Sequence, residues 1–257
     1  MYESTTREQA LELLRRGMSH RAVAERLNVP RGTIGWCRHE DRRRRNEPFE
    51  RVHDCPRCAP RPFDRKAYAY LLGLYLGDGH IVSKPRQHHL SVYCGDAWPG
   101  LIGEAEEAMS KVMATPTVSR RQKAGCVEVK SYTRHWTCMF PQHGPGRKHE
   151  RRIALEPWQQ HVVDEHPWQL IRGLFHSDGC RVTNWTTRLV SGQPKRYEYT
   201  RYFFTNKSDD ILRICSGALT AVGVEWKITR KFGAPFNISV ARRVSVVLMD
   251  ARVGAKY

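Results

Sequence analysis

A nine-residue segment occurs twice in this 257-residue chain, with the two copies one hundred positions apart. The copies are residues 71–79, LLGLYLGDG, and residues 171–179, IRGLFHSDG. Each copy is an apolar, helix-like run that ends in Asp-Gly. The patterns of helices and strands that follow the two copies are also alike, so the repeat extends beyond the motif. We therefore expect two similar halves, each beginning with one of these helices.

Small residues recur four positions apart in both copies. This spacing puts them on one face of a helix, and side chains this small allow two helix backbones to approach closely. The two helices are therefore predicted to pack against each other along these faces. The residues concerned are Gly73 and Gly77 in the first copy and Gly173 and Ser177 in the second.

Each copy has an aspartate just before its final glycine, and helices packed in this way would place Asp78 beside Asp178. A pair of carboxylates is a binding site for a divalent metal ion. The simpler interpretation is a helix C-cap that tolerates an acid. However, an acid at this end opposes the helix dipole, because the C-terminus is already negative. The same conflict at matching positions in both copies favours the metal-binding role.

The two motifs resemble those of LAGLIDADG homing endonucleases in the single-chain form, with matches at Gly73, Asp78 and Gly79 and again at Gly173, Asp178 and Gly179. The resemblance implies an α+β fold of two pseudo-symmetric αββαββ repeats, each with a concave antiparallel sheet that grips DNA. It also implies Mg²⁺-dependent cleavage of both strands. The metal ligands would be Asp78, Asp178 and the backbone carbonyls of Gly77 and Ser177.

The chain divides into four predicted parts. Residues 1–45 form a small all-α domain, residues 46–65 a basic linker that contains a CxxC pair, residues 66–143 the first repeat, and residues 144–257 a connector with the second repeat. Residues 19–36 resemble the helix-turn-helix of resolvases and bacterial regulators, whose third helix enters the major groove. In that interpretation Arg31, Thr33 and Arg38 face DNA. The alternative is an ordinary three-helix bundle with a basic, solvated face.

The linker holds Cys55-Pro56-Arg57-Cys58, which is half of a common structural zinc motif. A structural zinc ion needs four ligands, and the sequence contains no second CxxC pair. His53, Cys37 and His39 are possible partners, but no spacing rule selects them. The alternative is a pair of reduced thiols. Structural Zn²⁺ therefore stands as a hypothesis beside Mg²⁺.

Composition narrows the class of partner. The chain has 43 Lys and Arg against 26 Asp and Glu, a formal charge of +17, which favours a polyanion. It has no apolar run long enough to span a membrane and no signal-peptide core. We therefore expect a cytoplasmic protein that binds DNA or RNA and not a membrane, with its eight cysteines reduced. The resemblance to single-chain homing endonucleases implies that the partner is double-stranded DNA and that the protein is a monomer.

Basic residues on the predicted strands are candidates for DNA contact. Lys130, on the last strand of the first repeat, is in addition a candidate catalytic residue that orders water near the metal. The equivalent strand of the second repeat has no lysine, although Arg242 and Arg243 follow it. The DNA candidates are Lys84, Arg86, His88, Arg120, Lys123, Arg181, Arg188, Arg196, Arg230 and Lys231.

The sequence thus predicts a metal-dependent, site-specific DNA endonuclease. The alternative is a DNA-binding transcriptional regulator that keeps the LAGLIDADG scaffold without cleavage. The retained pair of acids favours the endonuclease. Leu76 and His176, at motif positions that are often acidic in the family, and the missing second lysine favour the regulator.

Overall fold

The computed structural model describes residues 4–45, 55–59, 61–85, 87–114 and 116–257. The chain forms two compact units, residues 1–52 and residues 53–257, so the boundary falls inside the predicted linker. The fold is α+β, as predicted, and the larger unit contains two antiparallel four-stranded sheets. Among the described helices, none has the length and apolar character that a membrane span requires.

The smaller unit contains three helices, α1 (Ser4–Arg15), α2 (His20–Arg26) and α3 (Arg31–Arg44). The Ser19 hydroxyl starts α2 by accepting a hydrogen bond from the Ala22 N–H at 3.2 Å. A turn follows in which Asn28 has a φ of 50°, a conformation that asparagine tolerates better than most residues. The core of this unit consists of Ala10, Val23, Ala24, Val29 and Ile34.

Helix α3 continues through Arg44, so most of the arginine run at 42–45 is helical. Two acids one turn earlier stabilise this extension, since Glu40 lies 3.8 Å from Arg44 and Asp41 lies 3.3 Å from Arg45. The basic run is therefore a continuation of the predicted recognition helix.

The larger unit is organised around two packed helices, α4 (Arg65–Leu76) and α8 (Pro167–Asp178), which contain the repeated motif. A Cβ atom added to Gly73 would lie 2.5 Å from the Leu170 carbonyl oxygen and 2.6 Å from the Leu174 nitrogen. A Cβ atom added to Gly173 would lie 3.0 Å from the Gly73 Cα. The close backbone contact predicted from the small residues is therefore present.

Each repeat continues with two hairpins separated by a helix. The first contains β1 (Gly79–Lys84), β2 (Gln87–Gly95), α5 (Pro99–Val112), β3 (Val118–Lys123), β4 (Cys126–Ser131) and the short α6 (Trp136–Met139). The connector holds a 3₁₀ turn (Lys148–Glu150) and α7 (Pro157–Glu165). The second contains β5 (Gly179–Val190), β6 (Gln193–Thr205), α9 (Asp209–Ala221), β7 (Lys227–Lys231), β8 (Ala234–Val240) and α10 (Arg243–Arg252).

The two sheets have the same topology, with strand orders β1-β2-β4-β3 and β5-β6-β8-β7. A continuous apolar core extends through both repeats and includes the fully buried Leu72, Leu90, Leu174 and Phe204. The halves differ in the first hairpin. Strands β5 and β6 have 12 and 13 residues, whereas β1 and β2 have 6 and 9. The outer part of the longer hairpin is exposed.

Strand register determines which face of each sheet a basic residue occupies. Arg120 pairs with the buried Val129, so it lies on the face that packs on the helices, and its Nε donates to Glu106 of α5 at 2.6 Å. Arg181 pairs with the buried Tyr202 and binds Asp250 of α10 through two hydrogen bonds of 2.7 and 3.1 Å.

His88 pairs with Ser83, and the His88 Nδ1 lies 3.3 Å from the Ser83 hydroxyl. By alternation this pair belongs to the same face as the buried Ile81 and Leu90. Arg196 shares its face with Trp185, whose ring lies 5.0 Å from the guanidinium carbon. DNA contact by His88, Arg120, Arg181 and Arg196 stays a prediction, but the register places all four on the helix side of the sheets.

The close crossing of α4 and α8 leads to a stability prediction. We expect Gly73→Ala to destabilise the protein by about 1–3 kcal/mol, because the new methyl group must displace the backbone of α8. Gly217→Ala is the matched control, since Gly217 lies on the exposed face of α9 with nothing within 4 Å of an added Cβ. There we expect a gain of up to about 1 kcal/mol from helix propensity. Chemical denaturation measures both. Equal effects of the two changes would contradict the close packing.

Candidate metal centre

The two motif aspartates lie at the adjoining C-terminal ends of α4 and α8. The Asp78 backbone N–H donates a hydrogen bond to the Ser177 hydroxyl at 3.1 Å, which joins the two helix ends directly. A Cβ atom added to Gly77 would lie 3.2 Å from the Asp178 Oδ2. Asp178 also accepts a hydrogen bond from the Asn206 amide at 2.7 Å. The structure therefore brings together the acids that the repeat predicted.

Both carboxylates have raised pKa values. Burial is the main cause for Asp178, the charge of Asp78 adds to it, and together they raise the pKa of Asp178 from 3.8 to about 6. Part of Asp78 is exposed to solvent. Protein atoms nevertheless surround its carboxyl group, and this desolvation raises its pKa as well. Such shifts are typical of functional sites, where carboxylates are kept close at a cost in stability.

A lysine from the connector contacts the end of the first motif helix. The Lys148 ammonium lies within hydrogen-bonding distance of four carbonyl oxygens, which share its three N–H groups: those of Tyr75 at 2.6 Å, Leu76 at 3.0 Å, Gly79 at 2.9 Å, and Gly77. It thereby satisfies carbonyls that the end of a helix leaves without partners. Burial lowers the pKa of Lys148 to about 8, although both aspartates act in the opposite direction.

A second lysine occupies the corresponding place in the other repeat. The Lys256 ammonium donates to the Ser177 carbonyl at 2.7 Å. The positive charges of Lys148 and Lys256 both lower the pKa values of Asp78 and Asp178, so the two lysines lie close enough to act on the acid pair. These lysines also explain how two helices tolerate an acid at the C-terminus, because a cation stabilises the negative end of the helix dipole.

The sequence analysis missed both lysines, although a local pattern marks them. Each occurs in a Gly-x-Lys triplet after its repeat, Gly146-Arg147-Lys148 and Gly254-Ala255-Lys256. Both glycines have positive φ angles, 75° and 76°, which a glycine adopts readily. The triplets are 108 positions apart rather than one hundred, so a comparison in the register of the motif does not align them.

Lys130, the candidate chosen from the sequence, has a different environment. It is nearly buried on β4, where its ammonium lies 3.2 Å from the Glu128 carboxylate. Glu128 also accepts a hydrogen bond from Ser91 at 2.8 Å and lies 3.3 Å from Lys123. These contacts keep the pKa of Glu128 low, at about 2, against the effect of burial. A catalytic role for Lys130 stays a prediction, whereas its contact with Glu128 is direct.

The sheet faces opposite the helices hold some of the basic residues that the sequence analysis selected, together with others that it did not. By register, Lys84, Lys123 and Lys130 lie on this face of the first sheet and Arg188 on that of the second. The same alternation adds Arg121, Lys195, Arg201 and Lys227, which the sequence analysis did not select. Arg230 follows a register shift in β7, and its guanidinium donates to the Gly233 carbonyl at 3.1 Å. Arg86 and the Lys231 side chain lie outside the described residues.

The Cys55 and Cys58 thiols lie beside His135 and Cys138 of the first repeat. The sequence analysis selected neither His135 nor Cys138, because a separation of about eighty residues has no local spacing rule.

In the smaller unit, Arg31 and Arg38 of α3 are exposed and Thr33 is partly buried.

No protein-family model matches the sequence, and no curated protein matches it. The fold is similar to that of solved LAGLIDADG structures. One is the homing endonuclease I-DmoI in complex with DNA and Mn, with 12% identity, a TM-score of 0.49, and coverage of 75% of this chain and 98% of that one.

Two further solved structures are similar at the same level. The homing endonuclease I-WcaI bound to its DNA recognition sequence has 13% identity and a TM-score of 0.49, covering 80% of this chain and 88% of that one. The N-terminal LAGLIDADG domain of DUF199/WhiA has 12% identity and a TM-score of 0.45, covering 79% and 89%. At this identity the similarity concerns the fold.

The raised pKa of Asp178 leads to a prediction about stability and pH. The folded state holds the Asp178 proton up to about pH 6, whereas the unfolded chain releases it near 3.8, so this group stabilises the protein as the pH falls. At pH 7 and without metal, we expect Asp178→Asn to stabilise the fold by on the order of 1 kcal/mol, after allowance for solvent screening. The difference should shrink between about pH 6 and pH 4.

Thermal denaturation in a chelating buffer at several pH values measures this effect. Asp96→Asn is the control, because it removes the same charge from an exposed turn. If Asp178→Asn lowered the melting temperature at neutral pH, the carboxylate would be a stabilising partner of the lysines rather than a strained site group.

Proposed function

We propose that this chain is a site-specific endonuclease that hydrolyses phosphodiester bonds of double-stranded DNA with Mg²⁺ held by Asp78 and Asp178. The observation that carries the proposal is the pair of desolvated carboxylates at the joined ends of α4 and α8. Because one chain supplies both acids and both sheets, we also propose that it acts as a monomer.

The acid pair suits a divalent cation electrostatically. The pKa of Asp178 stays at about 6 although two ammonium groups act on it. Burial and the neighbouring carboxylate therefore outweigh both lysines, and an additional positive charge would stabilise the ionised pair. When bound, a divalent metal activates water and neutralises charge that develops on the phosphate.

The chain's own residues would hold and orient the substrate around that centre. Lys148 and Lys256 fix the helix ends from which the two aspartates project. Their positive charges lower the pKa values of both aspartates, and we propose that the same charges attract the scissile phosphates. The Gly77 and Ser177 carbonyls already accept hydrogen bonds from these lysines. A carbonyl oxygen has two lone pairs, so the predicted metal contact through these carbonyls requires the second one.

The basic residues on the open faces of the sheets are proposed to contact the phosphate backbone. Arg188 and Lys195 face each other across the long β5–β6 hairpin, and Arg201 lies further along the same face. On the first sheet, Arg121 and Lys123 occupy the corresponding side of β3. Phosphate contacts position a duplex without reading its sequence. Helix α3 of the smaller unit is proposed to read bases through Arg31, Thr33 and Arg38.

A second candidate function is a DNA-binding regulator that does not cleave. One observation favours it: Lys148 and Lys256 neutralise much of the acid pair without any metal. In that case the aspartates and lysines form a structural charge cluster that closes the helix ends.

Substitution of the acids separates the two functions. We expect Asp78→Asn and Asp178→Asn each to reduce cleavage by at least about a hundredfold while leaving DNA affinity within about threefold, since the loss removes metal-ion catalysis only. The substrate is DNA that flanks the gene, incubated with the full-length protein and Mg²⁺, with Ca²⁺ and EDTA as parallel conditions. Asp96→Asn should cleave like the wild type.

Metal binding should be measured independently by titration with Mn²⁺, so that a wrong choice of DNA is distinguishable from a wrong mechanism. Loss of Mn²⁺ binding in both variants supports the acid pair as the metal site. A wild-type protein that binds DNA but no Mn²⁺ would establish the regulator instead.

Lys148→Met should reduce cleavage, whereas Lys66→Met, which removes an exposed lysine on α4, should not.

The helix-turn-helix proposal has its own test. Arg31→Ala should weaken binding by about 1–3 kcal/mol and relax the choice of sequence at one position, as expected for a residue that reads a base. Arg21→Ala is the control, because Arg21 is exposed on α2 and paired with Glu25 at 2.8 Å. Competition binding against a pool of randomised sites measures both affinity and specificity. Unchanged specificity in Arg31→Ala, Thr33→Ala and Arg38→Ala would reject a reading role for α3.

A further inference from the structure

Four potential metal ligands converge within the larger unit, far along the chain from one another. Cys55 and Cys58 precede α4, while His135 and Cys138 belong to the first turn of α6. Their sulfur and nitrogen atoms all lie within 4.8 Å of one another. Eight cysteines are free, and three of them meet here with a histidine.

The separations match the edges of a tetrahedral zinc site. Zn–S and Zn–N bonds of about 2.3 and 2.0–2.1 Å give edges of about 3.8 Å between sulfurs and about 3.6 Å between sulfur and nitrogen. The Cys58 sulfur lies 3.4 Å from the His135 Nδ1 and 3.5 Å from the Cys138 sulfur. The Cys138 sulfur lies 3.8 Å from the His135 Nδ1. A disulfide would bring two sulfurs to about 2.05 Å.

The local structure suits a bound cation. The backbone N–H groups of Arg57 and Cys58 form hydrogen bonds with the Cys55 sulfur, although burial is the larger effect and raises the pKa of this thiol. Cys55 is fully buried whereas Cys58 is exposed, so the site has a buried base and an open side through which an ion can enter. The His135 to Cys138 spacing places both side chains on one face of the helical turn.

We propose that Cys55, Cys58, His135 and Cys138 bind a structural Zn²⁺ ion. Three thiolates and one imidazole form a closed tetrahedral set, with no open position for a substrate. The ion would link the segment before α4 to the turn after β4. Along the chain, α4, both hairpins and α5 lie between these two points. Its role is to hold the two ends of the first repeat together, independently of the Asp78 and Asp178 centre and of the proposed cleavage.

The site also lies against the connector helix. The Arg57 guanidinium, within the CxxC turn, stacks 4.5 Å from the Trp158 ring of α7. Loss of the ion should therefore loosen both the start of the first repeat and its contact with α7. The connector before the second repeat has Leu155 and Trp158 at the positions one hundred residues after Cys55 and Cys58, so the matching CxxC pair is missing there.

The first test measures the metal content of the full-length protein purified under reducing conditions. We expect one zinc per chain by native mass spectrometry and elemental analysis. After removal with a chelator, Co²⁺ should produce the visible absorption of a tetrahedral, thiolate-bound ion and zinc should displace it. Chelation should lower the melting temperature, and added Zn²⁺ should restore it. The cobalt spectrum needs no variant, so the proposal is testable even if a variant fails to fold.

Variants then locate the ion. Cys58→Ser and Cys138→Ser should lose the zinc, whereas Cys180→Ser, which changes an exposed thiol, should keep it. An Asp78→Asn, Asp178→Asn double variant should also keep one zinc, which separates this site from the proposed catalytic centre. Protein without stoichiometric zinc and without a cobalt spectrum would overturn the proposal. So would iron in place of zinc, a disulfide among the three cysteines, or zinc retained by both serine variants.

Discussion

The contact between the backbones of α4 and α8 is the constraint on which the larger unit depends. Gly73 and Gly173 leave no room for a side chain, so both repeats must present these helices in one relative position. That position places two acids at the same end of the interface, where burial raises the pKa of both carboxyls and the charge of Asp78 raises that of Asp178 further. Packing geometry and site electrostatics therefore have a common origin, and a change in the crossing would move both carboxylates.

Two lysines make this arrangement tolerable. An acid at the C-terminus of a helix is unfavourable, and here two such ends adjoin. Lys148 and Lys256 enter from segments that follow their repeats and donate to the terminal carbonyls. They compensate the acids only partly, because the pKa of Asp178 is still about 6. Because the two lysines do not cancel the unfavourable energy of the ionised carboxylates, a further cation would stabilise the pair. This is the physical reason to prefer a metal centre over a closed cluster of aspartates and lysines.

The fold was largely predictable because its main features are periodic or local. The repeat identified both motif helices, the small residues predicted their contact, and alternation located the strands. The sequence analysis was incomplete where long-range geometry decides. A shift of one residue in register separates Arg120, which binds Glu106, from Arg121 on the open face. Four site residues lie about seventy to eighty positions along the chain from their partners, and only the folded chain shows those partners. They are Lys148, Lys256, His135 and Cys138. The proposed roles of the aspartates and of α3 remain predictions.

The cysteine cluster changes where the functional core begins. The sequence analysis treated residues 46–65 as a linker, yet residues from 53 onward belong to the larger unit and Cys55 lies in its core. If the cluster binds zinc, truncation at residue 60 removes two ligands together with the small unit. A loss of activity would then report a loosened first repeat rather than a missing DNA reader. Removal of residues 1–52 keeps all four ligands, so a truncation at that boundary separates recognition by α3 from the stability of the repeat that holds Asp78.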